Sequence, residues 1–144
     1  MPYSTIEDIK KMLPEAELLR LTDDEDAGAI NTARVDEAIA QADAEIDAYV
    51  GARYSVPLAG APEFIRKASV DLAIYNLHSR TALALPEVRR ERYTNTVRLL
   101  EGISSGKVTL GMPQQPDPTE IAEGSSTNKS APDNVFTRRS LRGF

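Results

Sequence analysis

Thr32-Ala33-Arg34-Val35-Asp36-Glu37-Ala38-Ile39-Ala40-Gln41-Ala42-Asp43-Ala44-Glu45-Ile46-Asp47-Ala48-Tyr49-Val50-Gly51-Ala52-Arg53 is the stretch whose pattern decides the fold. Val35, Ile39, Ala42, Ile46, Tyr49 and Val50 recur at three- and four-residue spacings, which is one face of an α-helix. Asn31 stands just ahead of the run and is a helix-capping residue type. The spacing predicts a helix from Thr32 to about Arg53. Its opposite face carries Asp36, Glu37, Asp43, Glu45 and Asp47. An apolar stripe of this length must be covered by other elements, and the flanking sequence offers helices on both sides.

Downstream, Tyr54-Ser55-Val56-Pro57-Leu58 reads as a short extended link, because Pro57 keeps Val56 out of the helical region. Tyr54, Pro57 and Leu58 are expected to pin this link across the bundle. Pro62 then opens a helix running to about Arg80, since proline suits a first helical position. Phe64, Ile65, Ala68, Val70, Leu72, Ala73, Ile74, Tyr75 and Leu77 wrap most of its circumference, which predicts a buried central helix. Pro86 opens another helix to about Ser104, with Tyr93, Val97, Leu100 and Ile103 as its core stripe and Gly106 as an end signal. Lys107 to Leu110 reads as a brief strand or an extended segment packed on the bundle. Upstream, Ser4 with Glu7 has the spacing of a capping box and opens a short helix carrying Ile6, Ile9 and Leu13. Pro14 starts a further short turn, Glu15 to Leu21, and Thr22 to Gly28 is an acidic loop. The expected fold is all-α: a small bundle of about four to five helices in residues 1–111, with an extended C-terminal tail.

Composition narrows the function classes. The 144 residues contain no cysteine, which excludes a disulfide framework and a thiolate metal site. No apolar run approaches the ~20 residues of a membrane span, and Met1-Pro2-Tyr3-Ser4 begins no signal peptide, so the expectation is a soluble chain made in the cytoplasm with no membrane contact. The net charge of −5 opposes wholesale nucleic-acid binding. Charge is also polarised: residues 1–47 hold 13 acidic and 4 basic side chains, whereas residues 48–110 hold 5 and 9. An acidic front and a basic middle suit head-to-tail self-association.

Each constellation that might carry chemistry has a simpler structural reading. Gly102 to Val108 imitates a phosphate loop but is one residue short, has Val108 where a metal-binding hydroxyl belongs, and follows a helix. Asp23 to Gly28 imitates a calcium loop, yet Ala27 and Arg34 fall on two ligand positions. His78 is the single histidine and has no partner set for nucleophilic catalysis. The expectation is a non-enzyme with no catalytic residues, cofactor or metal. Arg89, Arg90, Arg92 and Arg98 are interrupted by Glu87 and Glu91 and read as a solvated or subunit-facing surface. They and the acidic face Asp36, Glu37, Asp43 and Glu45 are the two candidate inter-subunit surfaces. The acidic face is alternatively the lining of a lumen.

Beyond Met112 the character changes. Residues 112–134, rich in Pro, Gly and Ser, cannot build a core and read as a linker that spans up to ~70 Å extended and roughly 25 Å as a coil. Residues 135–144 concentrate Phe136, Leu141 and Phe144 among Arg138, Arg139 and Arg142. Bulky apolar anchors flanked by arginines read as a docking peptide for another protein.

Four stretches carry a family resemblance. They are Tyr3-Ser4-Thr5 with Asp8 and Leu21-Thr22-Asp23; Ala44 to Leu58; Asp71-Leu72-Ala73-Ile74-Tyr75-Asn76-Leu77 with Arg80; and Arg92-Tyr93, Val97, Leu100 and Ile103 to Gly111. The second is the most specific, with Asp47, Tyr49, Arg53, Tyr54, Pro57 and Leu58 in an I-D-x-Y-(L/V)-x-x-R-Y-x-(L/V)-P-L signature. On these residues the chain resembles a family of small proteins of Mu-like phages and prophages encoded among head morphogenesis genes. The ending Phe136 to Phe144 is also similar, whereas Ala27 and Asn31 depart from the family's fuller Asp/Gly turn. The resemblance implies a structural virion protein of the neck, similar to helical head–tail connector (adaptor) proteins. Such a protein forms a ring of its own copies below the portal protein, and DNA passes through its lumen without sequence-specific contact. A stopper or tail-completion protein is a further implied partner. The portal is the expected receiver of the tail, with an adjacent subunit as the alternative. The rival reading is a small helical DNA-binding regulator, which would need a basic recognition helix where the longest early helix is acidic.

Overall fold

The computed structural model describes residues 1–116, and its described part is all-helical. Five helices run in order: α1 (Ile6–Met12), α2 (Glu15–Thr22), α3 (Thr32–Val50), α4 (Glu63–Ser79) and α5 (Glu87–Ser104). The expected linker and the Phe136–Phe144 peptide lie outside the described residues, apart from the linker's first few positions.

Helix α4 occupies the centre and packs against all four other helices. Ile65, Leu72, Ala73, Ile74 and Leu77 are fully enclosed, as an apolar surface wrapped around the whole helix requires. The α3 stripe Val35, Ile39, Ala42, Ile46 and Val50 packs on one side of it, and Leu100 and Ile103 of α5 on another. Ile9, Leu13, Leu18 and Leu21 close the end of the core from α1 and α2. Burying each such aliphatic side chain stabilises the fold by roughly 1.5–3 kcal/mol.

The helix ends follow local chemistry, with two corrections. The capping box is real but sits one residue later than the Ser4/Glu7 spacing suggests: Thr5 is the N-cap and Asp8 the reciprocal partner. Ser4 is buried instead, its hydroxyl 2.7 Å from that of Ser69 in α4. Asn31 caps α3 as expected, accepting from the Arg34 N–H at 3.3 Å. That helix stops at Val50 rather than Arg53, because the Val50 carbonyl takes both the Arg53 and Tyr54 N–H groups and closes a turn. Pro14, Pro62 and Pro86 precede α2, α4 and α5, where the missing N–H costs nothing.

Three expected core positions behave differently. Tyr54 and Leu58 are buried, but Pro57 is exposed, in a cis peptide with Val56. Tyr93 and Val97 are half-buried, and Thr96 takes the inner position between them. Tyr93 stacks on Tyr75 of α4 with ring centroids 3.8 Å apart. Lys107 to Leu110 is extended rather than a strand, with Val108 and Leu110 packed on the core.

Candidate functional site

The signature residues of the α3–α4 connection converge with both ends of the described chain. Tyr3 sends its hydroxyl to Asp47 at the end of α3, and the same oxygen accepts the Leu58 N–H at 2.8 Å. Burial and the Asp47 carboxylate together push the Tyr3 phenol up to about 12. The Tyr3 N–H donates to Asp43 at 2.9 Å, and Ser69 of α4 donates to the other Asp43 oxygen at 2.7 Å. One tyrosine therefore ties the N-terminal segment, α3 and the link to α4 into a single network.

Arg53 and Tyr54 make the second junction. The Tyr54 hydroxyl accepts the Leu110 N–H at 2.9 Å, and the Arg53 carbonyl accepts the Gln115 N–H at 2.7 Å. Val108 returns its own N–H to the Gly102 carbonyl at 3.0 Å. These bonds hold the segment after α5 against the α3–α4 connection. The tail therefore departs from a fixed point on the bundle. Asp47, Arg53, Tyr54 and Leu58 make these joints, and Tyr49 packs partly buried against the core. The sequence pattern marked these residues as a signature but missed their partners Tyr3, Leu110 and Gln115, which only contacts distant in sequence reveal.

The expected acidic face does not act as one unit. Asp36 and Glu37 point outward, whereas Asp43 is drawn inward by Tyr3 and Ser69, and desolvation raises its pKa. Glu45 accepts from the Tyr93 hydroxyl at 3.3 Å, linking α3 to α5. The arginine face divides in the same way. Arg89 donates to the Met12 carbonyl at 2.9 Å, and Arg92 lies 3.7 Å from Asp71. Arg90 stands exposed near Glu87 at 3.7 Å, and Arg98 is exposed. Of the two expected faces, the members that point outward are thus Asp36 and Glu37 on α3 and Arg90 and Arg98 on α5, the arginines beside the exposed Glu87 and Glu91.

The acidic loop is an arginine clamp. Arg34 grips Glu25 at 2.6 Å and Asp24 at 3.3 Å, while Arg80 reaches Asp24 and the Leu21 carbonyl. Asp23 accepts the Ala27 and Gly28 N–H groups. His78 is buried, with Nδ1 on the Ile74 carbonyl at 2.9 Å and Nε2 3.2 Å from Glu17. Its contacts are those of a residue fixing α2 to α4.

A groove of about 490 Å³ runs between α1 and the first half of α4, with Met12, Phe64 and Val70 among its walls. Asp71 ends it. That carboxylate is 6 % exposed, and its Oδ1 has no hydrogen-bond partner among the described residues. Desolvation raises its pKa against the opposing pull of Arg92. No described helix is long and apolar enough to cross a membrane. The expected docking residues Phe136, Arg138, Arg139, Leu141, Arg142 and Phe144 lie outside the described residues.

A family model described as Bacteriophage Mu, Gp36 matches residues 3–128. The Mu-like prophage FluMu protein gp36 of Haemophilus influenzae is 29% identical over 119 residues, covering 83% of this chain and 81% of the relative. Gene product J of Escherichia phage Mu is 29% identical over 145 residues, covering 100% of this chain and 99% of the relative.

Proposed function

This chain belongs to the bacteriophage Mu Gp36 family, and from that premise we propose that it is a structural, non-catalytic virion protein: a head–tail connector that forms a ring below the portal. The observation that carries the reading is a pair of different outward charged surfaces on different helices, an acidic one on α3 and a mixed one on α5 where Arg90 and Arg98 stand among Glu87 and Glu91. Asp36 and Glu37 project from α3, and Arg90 and Arg98 from α5. Two different patches that meet between copies give a head-to-tail contact, which closes into a ring when the rotation permits. Duplex DNA passes through the lumen without base-specific contact. The virion neck is the proposed location, with the portal and a stopper or tail-completion protein as neighbours. The tail, leaving from the fixed point at Gln115, is the reaching element.

A small DNA-binding regulator fits less well. Such a protein docks a basic recognition helix in the major groove. Here Arg89 and Arg92 of the most basic helix face Met12 and Asp71 of their own chain.

Size-exclusion chromatography with light scattering, alone and with the cognate portal, tests the proposal. A ring-sized species, or co-elution with the portal in several copies, is the expected result. A stable dimer that ignores the portal and binds duplex DNA would replace the connector reading with the regulator.

A further inference from the structure

We propose that the groove between α1 and α4 receives the Phe136–Phe144 segment of a neighbouring copy, so that each subunit of the assembly is strapped to the next. The inference rests on the ring reading and adds what joins its members.

Three observations lead there. The groove combines apolar walls (Met12, Phe64, Val70) with a buried carboxylate oxygen, Asp71 Oδ1, that lacks a donor among the described residues. Arg92 approaches to 3.7 Å, beyond hydrogen-bond range, so that oxygen is left without a bond. A buried acceptor without a partner is costly, so an occupant that brings a donor is favoured.

Charge at the rim is largely self-compensated. Lys11 pairs with Asp8 at 3.0 Å and Arg66 with Glu63 at 3.4 Å. The groove therefore selects an occupant by apolar fit and by donors for Asp71, not by net charge. Residues 136–144 have that chemistry: Phe136, Leu141 and Phe144 to fill the walls, and three arginines, Ser140 and backbone N–H groups as donors.

Reach allows a neighbour's groove. The described chain is last held at Gln115, bonded to Arg53 and Ser55. From Pro116 to Phe136 a polypeptide extends up to about 65 Å, while a bundle of this size is about 35 Å across. A spacer of that length can cross a whole subunit, so the groove of an adjacent copy is within its span. Repeated around a ring, a contact too weak to hold two free copies becomes durable through multivalency.

The chain has no cysteine, so paired cysteines report the contact cleanly. A full-length Lys67→Cys chain is mixed with a full-length Ser140→Cys chain and oxidised. Ala16→Cys, exposed on α2, replaces Lys67→Cys in the control. The expected result is about ten-fold more mixed disulfide than in the control. Adding Phe64→Asp to the groove chain should abolish that excess. Leu141→Asp with Phe144→Asp in the tail chain should do the same without touching the bundle. The proposal is overturned by an excess no greater than the control, or by one that survives the tail substitutions. It is also overturned if the Lys67→Cys, Ser140→Cys double variant closes only within single chains. Light scattering on the same samples separates the two readings. Rings without the cross-link remove the strap and keep the ring; cross-linked pairs that never exceed a dimer keep the groove contact and remove the ring.

Discussion

The Arg53 guanidinium lies directly over Gly106, where an added Cβ would stand 2.6 Å from Cζ and from both terminal nitrogens. Gly106 also has φ +79°, a left-handed conformation that side chains rarely adopt. The backbone conformation favours glycine there, and any side chain would also have to displace the Arg53 guanidinium that closes over the turn ending α5. Gly106→Ala is expected to cost on the order of 1–2 kcal/mol from backbone strain alone, with displacement of Arg53 adding to it. Denaturant titration measures this; a loss below about 0.3 kcal/mol would show that the turn relaxes freely.

Tyr3→Phe removes one hydroxyl that serves both Asp47 and the Leu58 N–H. Leaving those buried groups unpaired should cost about 1–3 kcal/mol. There is a pH signature as well. The folded phenol titrates at about 12, above its ordinary value of 10.0. Its stabilising share is therefore complete below pH 10 and lost as pH rises from there through 12. Thermal melts across that window should show a smaller alkaline loss for Tyr3→Phe than for the parent chain.

At Asp71 the sign is the same, but the window lies below neutral pH. Burial raises this carboxyl above the ordinary 3.8, so the folded state favours the neutral form and pays for the charged one at neutral pH. Asp71→Asn is expected to be more stable than the parent at pH 7. That gain should fade as pH falls through the raised folded value and vanish below 3.8. Urea midpoints at pH 7 and pH 3.5 check it, and a less stable variant at pH 7 would mean that Arg92 outweighs desolvation.

Leu72 is 0 % exposed at the middle of α4. Leu72→Ala should cost on the order of 2–5 kcal/mol through lost transfer energy and the cavity left behind. A loss under about 1 kcal/mol in denaturant would place α4 at the periphery.

The charge-reversal test of the ring contact depends on which carboxylates face outward. Asp43→Lys would break the bonds to Tyr3 and Ser69 and destabilise the chain, whatever the assembly does. Asp36→Lys with Glu37→Lys avoids this, since both side chains are exposed. The pair should leave the melting temperature nearly unchanged and weaken assembly, and Arg90→Glu with Arg98→Glu should restore it. Intact rings in the reversed protein, with slowed DNA ejection from particles, would instead assign the acidic face to the lumen.

The five-helix order, the central place of α4 and the Asn31 cap were written into local patterns. Hydrophobic spacing and proline positions act over a few residues, so they are visible in one dimension. The signature Asp47 to Leu58 was likewise visible as a family mark. What it does was not, because its partners Tyr3, Gly106 and Leu110 lie tens of residues away in the chain. The same limit explains why Asp36 and Asp43 looked equivalent: both fall on the polar side of α3, seven residues apart. Helical periodicity gives the direction of a side chain from its own axis, but not what stands there. Only the packed structure puts Tyr3 and Ser69 beside Asp43 and leaves Asp36 in water, since that difference is made by neighbouring elements and not by the helix itself.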